Sequence, residues 1–248
     1  MSWGDPVWVD DFDGVAVDTD KWWLADSGGW GGGAELQYYR PENAAVAGSV
    51  LTITIDDDGY GGYAYTSARL ETARVDTPAD QKASWRYGRV EVRAKLPKTK
   101  GMWPAIWLYP ANLIYGAWPL SGELDIMELK GSAPETVYMT AHYGNPAAQD
   151  RSTYTLPSGD FSDDYHVFAI EWEPCVIRWY VDDVEKKEVS SWYSSQGAFP
   201  APFDHPFGVI LSVAVGGTWD GSPDGTTVFP QTMLVDYVRV YQLMAEQE

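Results

Sequence analysis

The chain has 248 residues, of which 17 are Lys or Arg and 36 are Asp or Glu, giving a net charge of −19. Such acidity excludes nucleic acid and anionic membrane surfaces as natural partners and favours a neutral polymer over a strongly acidic substrate. A hydrophobic content of 45% excludes a disordered chain, and a single cysteine, Cys175, excludes an internal disulfide.

A first short strand is expected over residues 7–12, with turns at 13–14 and 18–20. The glycine-rich stretch 28–39 has neither a Lys nor a following helix, so it is not a phosphate loop; it reads as a rim beside a groove, with Trp30 and Glu35 reaching in. Residues 50–55 alternate cleanly, and the acidic turn 56–59 lacks calcium-loop spacing. A strand containing Arg69 is expected over 63–72, and residues 89–96 show the best alternation in the chain. Residues 102–108 carry Trp103 and Trp107 as candidate sugar platforms, and a proline-marked loop over 110–119 follows. Further strands are expected at 136–143 with His142, at 166–172, and at 176–182 after the Glu173-Pro174 break. Residues 207–215 are almost continuously apolar, like a strand covered on both faces; a loop presenting Trp219 follows, and 234–241 finish the sheet. The nearest approach to a helix is 183–196, which is mostly polar. About a dozen strands without repeat or linker point to one all-β sandwich over residues 1–248, its two sheets leaving a concave groove. Thirteen Trp and 16 Tyr exceed what a core needs and suit the apolar faces of sugars.

The most informative stretch is Gly122-Glu123-Leu124-Asp125-Ile126-Met127-Glu128-Leu129. Read as a strand, Glu123 and Asp125 share one face and Leu124 and Ile126 the other. Strict alternation would bury Glu128 among apolar groups, at high cost. A β-bulge at Ile126-Met127 restores the phase, so that all three acids share a face. Three neighbouring carboxyls repel, so one holds its proton while another stays ionised, as glycosidic cleavage by paired carboxylates requires. An incidental acidic strand in an acidic protein is the plain alternative.

The Glu123-Leu124-Asp125-Ile126-Met127-Glu128 stretch resembles the ExDxxE signature of glycoside hydrolase family 16. The blocks 35–39, 87–91, 101–108, 166–172 and 229–241 resemble its bacterial laminarinase branch in the same order. The resemblance implies a β-jelly roll of two antiparallel sheets with a concave substrate cleft, and endo-hydrolysis of β-1,3-glucan with retention. It implies Glu123 as nucleophile, Glu128 as acid/base and Asp125 as a supporting group hydrogen-bonded to Glu123. Trp103, Trp107, Arg69, Glu35 and Trp219 match substrate-binding positions, and His142 matches a histidine near the leaving-group side. Gly33, Ala34 and Ser212 depart from the branch by removing amides near the cleft, which leaves linkage preference open.

No cofactor is implied for the chemistry. A structural calcium is implied at Asp11, Gly48 and Asp236, held largely by backbone oxygens. The expected partner is a neutral β-glucan, with the protein acting as a monomer. The start of the chain lacks the basic start and apolar core of a signal peptide, and no apolar run reaches membrane-span length. The chain is therefore expected to be either intracellular or a mature form without its leader, and an extracellular location is expected only from the bulk of a polysaccharide substrate. Competing readings are a same-family galactanase, a non-catalytic glucan-binding module and a metal hydrolase; for the last, none of the three histidines, His142, His166 and His205, pair at ligand spacing. Cys175 reads as a buried structural thiol.

Overall fold

A computed structural model describes residues 3–29 and 34–243. It is a jelly roll of two packed antiparallel sheets. The seven-stranded cleft sheet runs in the order Ala148–Thr155, Thr136–Tyr143, Glu123–Leu129, Met102–Pro110, Phe207–Val215, Arg69–Glu71, Trp23–Leu24. The outer sheet runs Val184–Val189, Val176–Val181, His166–Glu173, Gly88–Lys95, Gln231–Tyr241, Val50–Ile55, Ala44–Ala47, and Trp8–Asp10 also pairs with Gln231–Tyr241. A small third sheet joins Ser27–Gly28, Gln37–Tyr39 and Tyr65–Ser67.

The core fills the space between the two large sheets, and period-2 alternation supplies it. In Gly88–Lys95, Val90, Val92 and Ala94 point inward; Arg89, Glu91 and Arg93 meet partners on the outward face. Leu51, Ile53 and Ile55 do the same from Val50–Ile55. Phe207–Val215 is buried along its whole length. It lies inside the cleft sheet, between Met102–Pro110 and Arg69–Glu71, with Val209, Leu211 and Val213 in the core and Ser212 and Ala214 on the cleft floor.

Three expectations need correction. The strand expected over 63–72 is two, Tyr65–Ser67 in the small sheet and Arg69–Glu71 in the cleft sheet, because the chain changes sheets at Ala68. The stretch 183–196, named only as the nearest approach to a helix, carries the unexpected edge strand Val184–Val189. Cys175 is exposed, since the turn between His166–Glu173 and Val176–Val181 carries it away from the core.

Candidate active site

Gly122 launches the acidic strand with φ +82, and a Cβ there would come within 2.8 Å of the Phe203 ring. The strand Glu123–Leu129 then pairs with Met102–Pro110 on one side and Thr136–Tyr143 on the other. Its register slips between Asp125 and Glu128 against both neighbours, which is the bulge expected from the sequence. Ile126 and Met127 both enter the core, at 1% and 0% exposure. Glu123, Asp125 and Glu128 all line one cleft of about 740 Å³ on the outward face of this sheet. At the bulge, the buried Trp179 of the outer sheet donates its indole N–H to the Asp125 carbonyl at 2.8 Å. A carbonyl in an unbroken ladder lies in the sheet plane; this one is met from the facing sheet, which holds the bulge in place.

The acids are poorly solvated. The side chains of Glu123 and Asp125 are 15% and 4% exposed, and Glu128 is 7% exposed. Burial, then the charges of Asp125 and Glu128, push the Glu123 carboxyl well above its ordinary range; Arg69 and a hydrogen bond from Trp118 oppose the rise. Burial, then Asp125, push Glu128 up to about 8, against a hydrogen bond from Trp103 and the charges of Arg151 and Lys130. The cluster therefore holds protons at neutral pH that free carboxyls would have lost. Trp103 Nε1 donates to Glu128 Oε1 at 3.0 Å, so this indole braces an acid as well as walling the cleft. Asp125 Oδ2 and Glu128 Oε2 are buried without a hydrogen bond from the protein. Glu128 Oε2 is thus an acceptor open to a ligand or a proton, whereas Asp125 Oδ2 has the His142 ring beside it.

His142 sits opposite Glu123 in register, with Nε2 3.2 Å from Asp125 Oδ2 and 3.8 Å from Glu123 Oε1. It therefore serves the Glu123 and Asp125 end of the cluster, and Asp125 turns its Oδ2 toward this ring. One ligand atom from each of Glu123, Asp125 and His142 lies within 4.8 Å of the others.

Arg69 is almost fully buried, ion-paired to Glu71 at 3.1 Å and 4.8 Å from the Trp107 ring centre. Trp107 donates to Ser212 Oγ at 3.2 Å, so one of the departing residues shapes the cleft floor. Glu35 lines the cleft and accepts from Gln37 Nε2 at 2.7 Å. Trp219 rides on the short helix Gly217–Asp220 and packs on Trp103 and Tyr138, with ring centres 5.0 and 4.8 Å apart. Asp220 anchors that helix by accepting from Gly101 N at 2.8 Å and from Ser132 Oγ. The six expected binding residues thus line one cleft. Ala34 is exposed with φ +56. Trp30 and Gly33 lie outside the described residues.

Sequence reasoning missed Trp118, Arg151, Tyr39 and Tyr109, all of which line the cleft. Trp118, half exposed beside His142 at 5.7 Å between ring centres, had a signal: an aromatic in the proline-marked loop just before the acids. Arg151 had none, because the strand Ala148–Thr155 carries no apolar pattern.

The positions expected at a calcium ion lie in the outer sheet and its turns. Asp11 pairs with Arg239 at 2.9 Å and Asp236 with Arg93 at 2.6 Å, while Gly48 offers only backbone. Both carboxylates are thus engaged by arginines.

A jelly roll with buried, proton-holding carboxyls on the floor of an aromatic cleft defines a glycoside hydrolase. The family model described as "Glycosyl hydrolases family 16" matches residues 37–239, and the chain belongs to that family. It is 42% identical to the beta-glucanase of Rhodothermus marinus over 95% of this chain and 84% of that protein. It is 39% identical to glucan endo-1,3-beta-glucosidase A1 of Niallia circulans over 95% of this chain, spanning 37% of that protein. Among solved structures, the laminarinase catalytic domain from Thermotoga maritima superposes with a TM-score of 0.86 at 40% identity, covering 99% of this chain and 100% of that one. The laminarinase from Rhodothermus marinus gives 0.87 at 41% identity, covering 98% and 99%.

Proposed function

We propose that the protein is an endo-acting, retaining β-1,3-glucanase of the laminarinase kind, with residues 1–248 as one catalytic domain acting as a monomer outside the cell. The observation that carries this reading is the bulged strand, which sets Glu123, Asp125 and Glu128 on the floor of an aromatic cleft. Likeness over nearly the whole chain to proteins named as β-1,3-glucan hydrolases supports the substrate. Glu123 is the nucleophile and attacks the anomeric carbon. Glu128, whose proton is held up to about pH 8, passes it to the departing glycosidic oxygen. The C–O bond breaks, and an ester forms between the sugar and Glu123. Glu128, now ionised, takes a proton from water, whose oxygen attacks the same carbon and frees Glu123. Arg69 and the Trp118 N–H favour the ionised form of Glu123. Asp125, beside His142, orients the nucleophile. Trp103, Trp107, Trp219, Glu35, Arg69 and His142 hold the chain of sugars, aromatic faces against sugar faces. No cofactor takes part in these steps; a calcium near Asp11, Gly48 and Asp236 would serve stability.

The test is a product analysis with laminarin, mixed-linkage β-glucan, agarose and carrageenan. Short β-1,3-linked oligosaccharides from laminarin, first released as the β-anomer, are expected. Cleavage of a galactan alone would keep the mechanism and move the substrate. Binding of laminarin without products would favour a recognition module.

A further inference from the structure

Most arginines of this acidic chain are neutralised in place. Arg89, Arg93, Arg178 and Arg239, on the outer sheet, each have a carboxylate oxygen at 3.0 Å or closer. Two cations against the Trp219 wall of the cleft differ. Arg151, exposed on the edge strand Ala148–Thr155, lines the cleft and stands in the same cross-strand row as Thr140 and Asp125. Its Nε donates to Thr140 Oγ1 at 3.2 Å, and its guanidinium carbon is 5.9 Å from the ring centres of both Tyr138 and Trp219. Lys130, at the end of the acidic strand, places Nζ 4.8 Å from Trp219 and 5.6 Å from Tyr138. Among the described residues neither forms an ion pair within 4 Å. Asp150, the carboxylate nearest Arg151 in sequence, is engaged by Lys187 at 3.2 Å.

We propose that the Glu128 end of the cleft contains a subsite for an anionic substituent, a carboxylate or sulfate ester carried on the glucan, with Arg151 as its principal ligand and Lys130 as its second. The proposal rests on the glucanase reading and adds a substrate class to it. A guanidinium presents paired N–H donors that match a carboxylate or sulfate, and aromatic rings beside it hold it in place and thin its hydration. The two cations converge on the same pair of rings, so one substituent placed there meets both. Charges on the rest of the −19 surface are screened beyond about 8 Å at physiological ionic strength. A sparsely substituted chain is therefore accepted, whereas a dense polyanion is repelled along its length. The charges of both also favour the ionised form of Glu128, so they act on the acid and on the ligand together.

The test compares laminarin with a lightly carboxymethylated β-1,3-glucan, for the wild type and for Arg151→Gln, Arg151→Lys and Lys130→Gln, at low and high salt. The expected result is a fall of about tenfold in the ratio of kcat/KM, carboxymethylated over neutral, in Arg151→Gln, as for loss of one charge-assisted hydrogen-bonding partner. Lysine should restore part of the loss, Lys130→Gln should lose less, and high salt should lower the wild-type ratio. An unchanged ratio in Arg151→Gln, with only a shifted pH profile on laminarin, would overturn the proposal and leave the cations as modulators of Glu128. If the wild type cleaves neither polymer, the glucanase reading falls, and calorimetric titration of both polymers decides the subsite. Selective loss of affinity for the carboxymethylated chain in Arg151→Gln supports it; equal affinities overturn it.

Discussion

The two faces of this sandwich treat the same residue types in opposite ways. On the outer sheet, Arg89 binds Glu91, Glu171 and Asp183, and Arg178 binds Glu173 and Glu188. Glu171 also accepts from the Trp3 indole and Glu91 from the Tyr237 hydroxyl. On the cleft sheet, Asp125 and Glu128 keep buried oxygens without a hydrogen bond, and Glu123 and Glu128 hold protons too tightly for ordinary carboxyls. The first arrangement satisfies charge; the second keeps it unsatisfied. Neither burial nor acidity distinguishes the faces, since both bury acids. The lesson is that a chemically useful carboxylate is recognised by the partners it lacks.

The comparison breaks most sharply at the acids themselves. Glu123→Gln or Glu128→Gln should lower kcat on laminarin by about 10³-fold or more with the fold intact, as read by initial rates and circular dichroism. The same substitutions should stabilise. The Glu128 pKa is raised on folding, so its contribution to stability falls as pH rises from the ordinary glutamate range toward 8. Thermal scans should show Glu128→Gln melting above the wild type at pH 8, with the gap closing near pH 4.5. A variant less stable than the wild type at pH 8 would contradict the strained-cluster picture.

Asp125→Asn should cost less than either glutamate substitution, because its role is support; an equal loss would reassign the nucleophile. On the outer face, Arg89→Met should cost roughly 2 kcal/mol by removing the cation from the half-buried Glu91 and Glu171, yet leave kcat per folded molecule unchanged. Trp179→Phe should cost about 1–2 kcal/mol and lower kcat with little change in KM, since it orphans the Asp125 carbonyl that fixes the bulge. The smallest effect is a shift of titration. Wild-type kcat should fall as pH rises through about 8, when Glu128 loses its proton. Trp103→Phe removes a donor that favours the ionised form, so this alkaline limb should move upward.

The core strands were legible where one face is apolar and the other wet. Val50–Ile55, Glu123–Leu129, Thr136–Tyr143 and Phe207–Val215 match their expected spans, because burial writes itself into alternation or into an unbroken apolar run. Even the bulge could be read, since burying Glu128 would have been too costly. The missed strands of the two large sheets, Ala148–Thr155 and Trp23–Leu24, Val184–Val189 and Ala44–Ala47, are those at their ends, and Ser27–Gly28 and Gln37–Tyr39 of the small sheet were missed as well. An edge strand is held by main-chain bonds on one side, and those leave no mark on side-chain identity. The carboxylates were visible for the same reason the edges were not: an acid among Leu, Ile and Met needs an explanation, whereas Arg151 among Asp, Ser and Thr does not. The orphaned oxygens and the Trp179 bond exist only once strands 54 residues apart are brought together.

The edge position of Ala148–Thr155 has one more consequence. An exposed edge is a template for adding a foreign strand, and proteins guard it with charge. Here the proposed selectivity group, Arg151, is also one of the charges on that edge, beside Asp150 and its partner Lys187. Exchanging it for an apolar side chain to suit another glucan would also uncap the sheet and invite self-association. Substrate drift at this rim is thus tied to colloidal behaviour, and it can proceed freely only through polar replacements.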